Sequence, residues 1–344
     1  MAVEVAEQPA AVRRTLDALT PLRPAIRDLA GSRRQVFFAA RGSSDNAAVY
    51  GRYLLETHAG VRGGLLSPSV ATHYRAPLDL SDAVVVCVSQ SGSTQEIVTT
   101  QAWARECGAA TIAVTNVGGS PLAADADLAL VTHAGPELAV PATKTYLTQL
   151  VAMAVLGTAL APSPDALDAE LARVPSEVER LIADPVGVGA AIAALRDASY
   201  VVVSGRGLMM GTALETALKL EETCLRPVRG YSYADLRHGP ISVVTSGVVA
   251  VLVAAPDGPL VEPLVELAGD LAGRGATVVG IGGTPRFAAG CAVHVPGPDL
   301  PEALAPLGAI VPAQLVVEGL ARELGLDPDR PRGLAKVTTT DPHS

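Results

Sequence analysis

The chain has 344 residues, of which 49% are hydrophobic, and a formal net charge of −9. This length suits two domains of ordinary size, each able to bury its own core. The acidic charge argues against binding to nucleic acid, and the sequence shows neither a membrane-spanning apolar run nor a basic leader followed by an apolar stretch, so we expect a cytoplasmic protein without a membrane partner.

The four cysteines are scattered, and they show neither C-x-x-C spacing nor a Cys/His pattern suited to metal binding. This distribution predicts reduced thiols rather than disulfides or structural zinc. We therefore expect no metal, and nothing else in the sequence indicates a cofactor.

The predicted elements begin with a helical arm over residues 1–30, in which Val12, Leu16 and Leu19 are spaced for one helix face. From residue 34 strands alternate with helices, which indicates a parallel sheet with helices on both faces. We predict strands over 35–40, 83–88, 110–115 and 128–131, helices over 47–56 and 95–106, and polar loops over 41–46 and 89–94.

The second half of the chain repeats the first. The loop glycines Gly42 and Gly205 are 163 positions apart, and the strand residues Thr111 and Thr277 are 166 apart. Such similar offsets predict two tandem α/β domains, each a flavodoxin-like parallel sheet in three layers. We expect the following division of the chain: an arm over 1–30, domains over 31–160 and 195–325, linker helices over 161–194, and a tail over 326–344.

Residues 213–240 predict a helix followed by a polar loop. Glu215, Lys219 and Glu222 fall on one narrow helix face, and His238 follows in an Arg-His-Gly-Pro turn. Two carboxylates, an amine and an imidazole are typical of acid–base chemistry. The same pattern also suits a solvated helix face with a loop histidine, and this stretch alone leaves both open.

Lysine is rare in this chain, since only 3 of its 26 cationic residues are lysines. They are Lys144, Lys219 and Lys336. A guanidinium cannot replace an amine that must lose a proton or attack a carbonyl, so these lysines are candidate chemical groups.

The loop S-Q-S-G-S-T at 89–94 follows a predicted strand and precedes a predicted helix, which is where parallel sheets bind anions. An ordinary helix cap would need only one of its four hydroxyl residues. Gly42-Ser43-Ser44 offers a second such loop, whereas the repeat has A-A-P-D-G-P at 254–259, with an acid and no hydroxyl. We expect the first domain to bind a phosphate, the second to supply the charged helix, and the site to lie between them.

Several ordered motifs carry a family resemblance over nearly the whole chain. They are R-G-S-S-D-N at 41–46, S-Q-S-G-S-T at 89–94, A-G-P-E-L-A-V-P-A-T-K-T at 134–145, A-L-E-T-A-L-K-L-E-E at 213–222, R-H-G-P at 237–240 and R-G-L-A-K at 332–336. Together they resemble the SIS family of phosphosugar-binding domains, specifically the double-SIS isomerase half of the glucosamine-6-phosphate synthases and its stand-alone relatives.

The resemblance implies roles for individual residues. Glu222 would move a proton between C1 and C2, Lys219 would assist beside it, and His238, from the neighbouring subunit of a homodimer, would open the sugar ring. Lys336 would meet the open-chain carbonyl. The implied contacts to the phosphosugar are Ser43, Ser44, Ser89, Gln90, Ser91 and Thr94, with Val140 and Ala335 lining the sugar.

Three positions depart from the synthase pattern: Arg41 replaces a cysteine, Ser93 a glutamate and Arg229 an acid. The sequence R-G-S-S-D instead resembles the stand-alone deaminases, and the chain begins directly in the isomerase arm, without the glutaminase domain. We therefore expect conversion of glucosamine 6-phosphate into fructose 6-phosphate and ammonia. The alternatives are a galactosamine or fructosamine 6-phosphate substrate, an ammonia-dependent synthase, and a non-catalytic phosphosugar sensor.

Overall fold

The structure, a computed structural model, describes residues 1–163 and 165–336. It contains two five-stranded sheets, in which the described strands pair in parallel. The first sheet consists of β1 Gln35–Ala39, β2 Arg62–Leu65, β3 Ala83–Val88, β4 Ala110–Thr115 and β5 Leu128–Val131. The second consists of β6 Tyr200–Gly205, β7 Val228–Ser232, β8 Val248–Ala254, β9 Thr277–Gly282 and β10 Val293–Val295.

The helices before residue 164 are α1 Ala2–Ala6, α2 Gln8–Leu19, α3 Arg23–Ala30, α4 Ser43–Leu54, α5 Gln95–Glu106, α6 Pro121–Ala124 and α7 Lys144–Leu160. The later helices are α8 Asp165–Ala183, α9 Val188–Arg196, α10 Met210–Cys224, α11 Tyr233–Arg237, α12 Val261–Gly273, α13 Pro285–Ala289 and α14 Ala305–Glu323. None of the helices in these described ranges has the length and apolar content needed to cross a membrane.

The two sheets share one strand order. The first runs β2-β1-β3-β4-β5, and the second, read from its β7 edge, runs β7-β6-β8-β9-β10. Each strand of the first sheet therefore has a counterpart in the second. This confirms the predicted fold class of two tandem α/β domains, each with a parallel sheet.

By internal contacts, the chain divides into two compact units. Among the described residues, the N-terminal unit comprises 10–137, 144–172 and 335–336, and the C-terminal unit comprises 1–9, 138–143 and 173–334. The segment 138–143, which carries Val140, thus belongs to the C-terminal unit. Residues 337–344 of the predicted tail lie outside the described residues.

Each unit has its own apolar core. In the N-terminal unit Val85, Cys87 and Ile97 are fully buried, and burial raises the pKa of the Cys87 thiol to about 12, so this cysteine is an inert core residue. In the C-terminal unit Leu252 and Phe287 are fully buried in the equivalent place. Continuous apolar runs such as β3 are buried along their whole length because both faces of a parallel sheet are covered.

The structure corrects three local predictions. Helix α4 begins at Ser43 rather than at residue 47, because Gly42 adopts a φ of 57° and turns the chain into the helix four residues earlier. Strand β2 was missed, because its two glycines hide the strand pattern. The polar loop predicted after the helix in 213–240 contains strand β7 and the short helix α11.

The segment 138–143 is tied to its unit by the carboxylate of Glu4. Glu4 accepts hydrogen bonds from the backbone N–H groups of Leu138 and Ala139, the latter at 3.0 Å. Val140 donates its N–H to the carbonyl of Asp329 at 2.9 Å. Burial alone would raise the pKa of Glu4, but the two backbone donors and the N-terminal ammonium of Met1 together lower the pKa below its ordinary value.

We expect Glu4→Gln to lower the free energy of unfolding by about 1 to 3 kcal/mol at neutral pH, since hydrogen bonds to a charged acceptor contribute this much. Because the folded pKa is lowered, this contribution is complete above the unfolded pKa and disappears as the pH falls through the folded value. Urea unfolding between pH 3 and 7 measures it. The control is Glu266→Gln, at an exposed position in the same unit, and a constant difference at every pH would contradict the prediction.

Candidate active site

Two hydroxyl-rich segments lie at the carboxyl ends of neighbouring strands. Strand β1 pairs directly with β3. Each is followed by a loop and then a helix, α4 after β1 and α5 after β3. The carboxyl edge of a parallel sheet collects the helix N-termini, whose unpaired N–H groups favour anions.

The 89–94 loop is closed by its own hydroxyl groups. The Ser89 and Thr94 hydroxyl oxygens are 3.1 Å apart, the Gly92 N–H donates to Ser89 Oγ at 3.2 Å, and the Ser93 N–H donates to Ser91 Oγ at 3.2 Å. Ser89 is buried, so part of its role is to shape the loop. These bonds set the path of the chain into the first turn of α5.

Gly92 is a second requirement of this loop, and the sequence motif did not single it out. Its φ is 62°, and a Cβ atom there would lie 2.0 Å from Ser120 Oγ and 2.8 Å from Thr115 Oγ1. No other residue fits this position without displacing the packed hydroxyls beneath the loop.

The first turn of α4 carries Ser43 and Ser44. Ser44 is buried, and its hydroxyl accepts a hydrogen bond from Gln149 Nε2 of α7 at 3.0 Å. The hydroxyl keeps its own proton for a further acceptor. Helix α7 thus fixes the orientation of Ser44. The local sequence pattern does not reveal this contact.

A third element of the N-terminal unit is an ion pair between Lys336 and Glu137. The Glu137 side chain is fully buried and accepts from Lys336 Nζ at 3.0 Å. It also accepts from the Thr145 N–H at 3.1 Å and from Thr145 Oγ1 at 2.6 Å. Glu137 therefore ties Lys336, and its neighbour Ala335, to the start of α7. The motif at 134–145 contains Glu137, but the sequence alone did not indicate this role.

In the C-terminal unit, helix α10 carries the charged row predicted from the sequence. Lys219 Nζ lies 3.7 Å from Glu215 Oε1 and forms a close ion pair with Glu222. The exposed fractions of the side chains are 0% for Glu215, 1% for Lys219 and 26% for Glu222. The alternative of a solvated helix face is therefore wrong, because only the Glu222 end of the row reaches solvent.

A buried charged row is costly unless each charge is paired, so its presence needs a reason beyond stability. Desolvation, followed by the nearby charge of Glu222, raises the pKa of the adjacent Glu221 carboxyl. The Glu222 carboxylate is paired with the Lys219 ammonium and is also accessible to solvent. This arrangement suits a group that exchanges protons with a ligand.

His238 lies at the end of α11, where its backbone N–H donates to the backbone carbonyls of Ala234 and Asp235. It lines a surface pocket of about 420 Å³. The guanidinium of Arg229, also on the pocket wall, lies 5.2 Å from the Tyr231 ring centroid. The full lining is Met210, Arg229, Gly230, Tyr231, Ser232, Asp235, His238 and Pro240, so it does not include Glu222.

The loop of the C-terminal unit equivalent to 89–94 has the opposite electrostatic character. Asp257 Oδ1 accepts the N–H of Glu302 at 2.7 Å, and a Cβ atom on Gly258 would meet the Glu302 carboxylate at 2.2 Å. Burial, and then the charge of Asp257, raises the pKa of Glu302. Two carboxyl groups at this loop disfavour a phosphate.

Comparison with known proteins identifies the family. A model of the SIS domain matches residues 28–159. A crystal structure from Silicibacter pomeroyi, provisionally named a phosphosugar isomerase, is 35% identical and superimposes with a TM-score of 0.86 over 96% of this chain and 99% of that one. The chain belongs to the SIS family.

The SIS relatives include longer proteins. The glutamine–fructose-6-phosphate aminotransferase of Methanothermobacter thermautotrophicus is 34% identical over 99% of this chain, which corresponds to 57% of that protein. The chain thus spans a little over half the length of this relative. A glucosamine-6-phosphate deaminase from Thermotoga maritima shares the fold, with a TM-score of 0.73 over 97% of this chain and 99% of that one at 23% identity.

We expect Gly92→Ala to abolish measurable phosphosugar binding and to destabilise the chain, because the new methyl group clashes with Ser120 and the backbone favours glycine. Titration with fructose 6-phosphate and thermal unfolding measure the two effects. Gly119→Ala is the matched control, since a Cβ atom there meets nothing within 4 Å. Unchanged affinity in Gly92→Ala would show that the loop does not bind the sugar phosphate.

We expect Glu137→Gln to make Lys336 react faster with an amine-directed reagent, because the ion pair no longer holds its amine. The readout is selective, since Lys144 and Lys219 are each only 1% exposed and the Lys336 side chain is 29% exposed. Peptide mass spectrometry gives the labelling rate. Glu106→Gln, at an exposed position, serves as control. Equal labelling rates in the wild type, Glu137→Gln and Glu106→Gln would contradict a restraining effect of the ion pair on Lys336.

Proposed function

We propose that this chain is an amino-sugar phosphate deaminase/isomerase that converts glucosamine 6-phosphate and water into fructose 6-phosphate and ammonia. The observation that carries the proposal is the α10 row, in which a buried Lys219 pairs with an accessible Glu222 carboxylate. Membership of a family of phosphosugar isomerases supplies the substrate class. The hydroxyl loops supply a place for its phosphate.

Binding of the phosphate is assigned to the N-terminal unit. Ser43, Ser44 and the 89–94 loop, including Ser89, Gln90, Ser91 and Thr94, offer hydroxyl, amide and helix N-terminal donors that require no ionisation. The equivalent loop of the C-terminal unit instead contains Asp257 and packs against Glu302. The duplicated fold therefore supports one phosphate site in each chain.

Proton transfer is assigned to Glu222. After ring opening, a carboxylate must take the proton from C2 and return it to C1, and a second proton must pass from the amine nitrogen to O1, which together turn the 2-amino aldose into a 2-imino sugar. Water then adds to C2, ammonia leaves, and the ketose remains. Lys219 supports Glu222 by keeping a positive charge beside the carboxylate.

Two further groups complete the proposed chemistry. His238 would open the ring by moving a proton to the ring oxygen, a task that suits an imidazole near neutral pH, and we assign it to the neighbouring subunit of a homodimer. Lys336, tied to Glu137, would meet the open-chain carbonyl. Val140 and Ala335 would line the sugar.

The direction of the reaction is proposed from Arg41 and the R-G-S-S-D motif, which resembles the stand-alone deaminases. Galactosamine 6-phosphate and fructosamine-type 6-phosphates would use the same base and phosphate loops. An ammonia-dependent synthase would run the same steps in reverse, and a phosphosugar sensor would need the loops but not the charged row.

Coupled detection of fructose 6-phosphate and ammonia from glucosamine 6-phosphate tests the proposal. We expect Glu222→Gln to lower kcat by about 10² to 10⁴, the usual contribution of a general base, while fructose 6-phosphate still binds. Glu221→Gln is the matched control on the same helix and should retain turnover within a few fold.

A panel of hexosamine and fructosamine 6-phosphates, with the reverse reaction, separates the alternatives. Turnover of another substrate alone would replace glucosamine 6-phosphate in the proposal, and binding without turnover of any would indicate a sensor. Wild-type turnover in Glu222→Gln would contradict the role of this residue.

A further inference from the structure

Arg41 forms the best-defined ion pair near the hydroxyl loops. Its Nε donates to Glu96 Oε2 at 2.9 Å and its Nη2 donates to Glu96 Oε1 at 2.7 Å. Two parallel bonds of this kind fix the plane of the guanidinium as well as its position. The Glu96 side chain is only 7% exposed, whereas that of Arg41 is 47% exposed.

The pair connects the two predicted phosphate-binding segments. Arg41 lies immediately before Gly42 and the first turn of α4, whereas Glu96 lies in the first turn of α5, just after the 89–94 loop. A carboxylate at this point is favourably placed with respect to the α5 dipole. The charge of Arg41 is consequently held at the same sheet edge as Ser43 and Ser91.

Arg41 has more donors than Glu96 uses. A guanidinium carries five N–H groups, and the two bonds to Glu96 occupy one on Nε and one on Nη2. The others point away from Glu96, and almost half of the side chain faces solvent. This geometry suits an arginine that receives an anion on its open side.

Asp45 is a second acidic group near Arg41. Burial raises the pKa of the Asp45 carboxyl, and the charge of Arg41 only partly offsets this effect. The charge of Arg41 thus acts on Asp45 as well as on Glu96.

We propose that Arg41 is a further phosphate-binding residue and that Glu96 is a positioning residue that fixes its guanidinium. This inference rests on the proposed function of the 89–94 and 42–44 segments as the phosphate site. The planar fork of an arginine can donate two hydrogen bonds to one phosphate, which an ammonium cannot reproduce.

Calorimetric titration of the full chain with fructose 6-phosphate, inorganic phosphate and fructose tests this inference. The variants are Arg41→Gln, Arg41→Lys, Glu96→Gln and the double variant Arg41→Gln/Glu96→Gln. Arg105→Gln is the control, because Arg105 pairs with Asp127 at the other end of α5 and is 52% exposed. Thermal unfolding of each variant checks its fold.

We expect Arg41→Gln to weaken binding of fructose 6-phosphate by about 10- to 100-fold, as for loss of a charge-assisted hydrogen bond, and to weaken inorganic phosphate in parallel. Arg41→Lys should be intermediate. Glu96→Gln should weaken both ligands by a smaller factor, and this factor should vanish in the Arg41→Gln background, because Glu96 acts through Arg41. Arg105→Gln should bind as the wild type does.

Different failures have different meanings. If the wild type binds both ligands and Arg41→Gln binds them equally well, this inference is overturned and the proposed function stands. If Arg41→Gln weakens fructose 6-phosphate but not inorganic phosphate, Arg41 acts on the sugar and its phosphate role is overturned. If the wild type binds neither ligand, the proposed function fails together with this inference.

Discussion

Parallel pairing of β1 with β3 is the constraint on which the candidate phosphate site depends. It brings the segments that follow these strands to one edge of the sheet, where α4 and α5 begin. Ser43 and Ser91 then lie at an edge that favours anions because helix N-termini meet there. Gly42 and Gly92 allow the tight turns that this arrangement requires.

Duplication gave the chain two sheets with one strand order, and the two units then acquired different chemistry. The N-terminal unit has the hydroxyl loops and the ion pair between Glu137 and Lys336. The C-terminal unit has Asp257 in the equivalent loop, with Glu302 beside it, and it carries the buried row on α10. The proposed division of labour, with phosphate binding in one unit and proton transfer in the other, would account for both the similarity of the folds and the difference of the loops.

The fold was predictable because buried parallel strands such as β3 appear as continuous apolar runs, and because the repeat doubles that signal. Strands β2 and β7 were missed, since glycines interrupt their patterns and edge strands need less burial. The ion pair of Lys336 with Glu137 was missed for another reason. It joins residues 199 positions apart, and no local pattern records such a contact.

The central claim is that the phosphate group of the substrate is bound by the N-terminal unit. A crystal structure of the complex with fructose 6-phosphate tests this claim most directly. We predict that the phosphate is hydrogen-bonded to the 89–94 loop and to Ser43 or Ser44. A phosphate bound instead at the 254–259 loop, or in the pocket beside Arg229 and His238, would contradict the account.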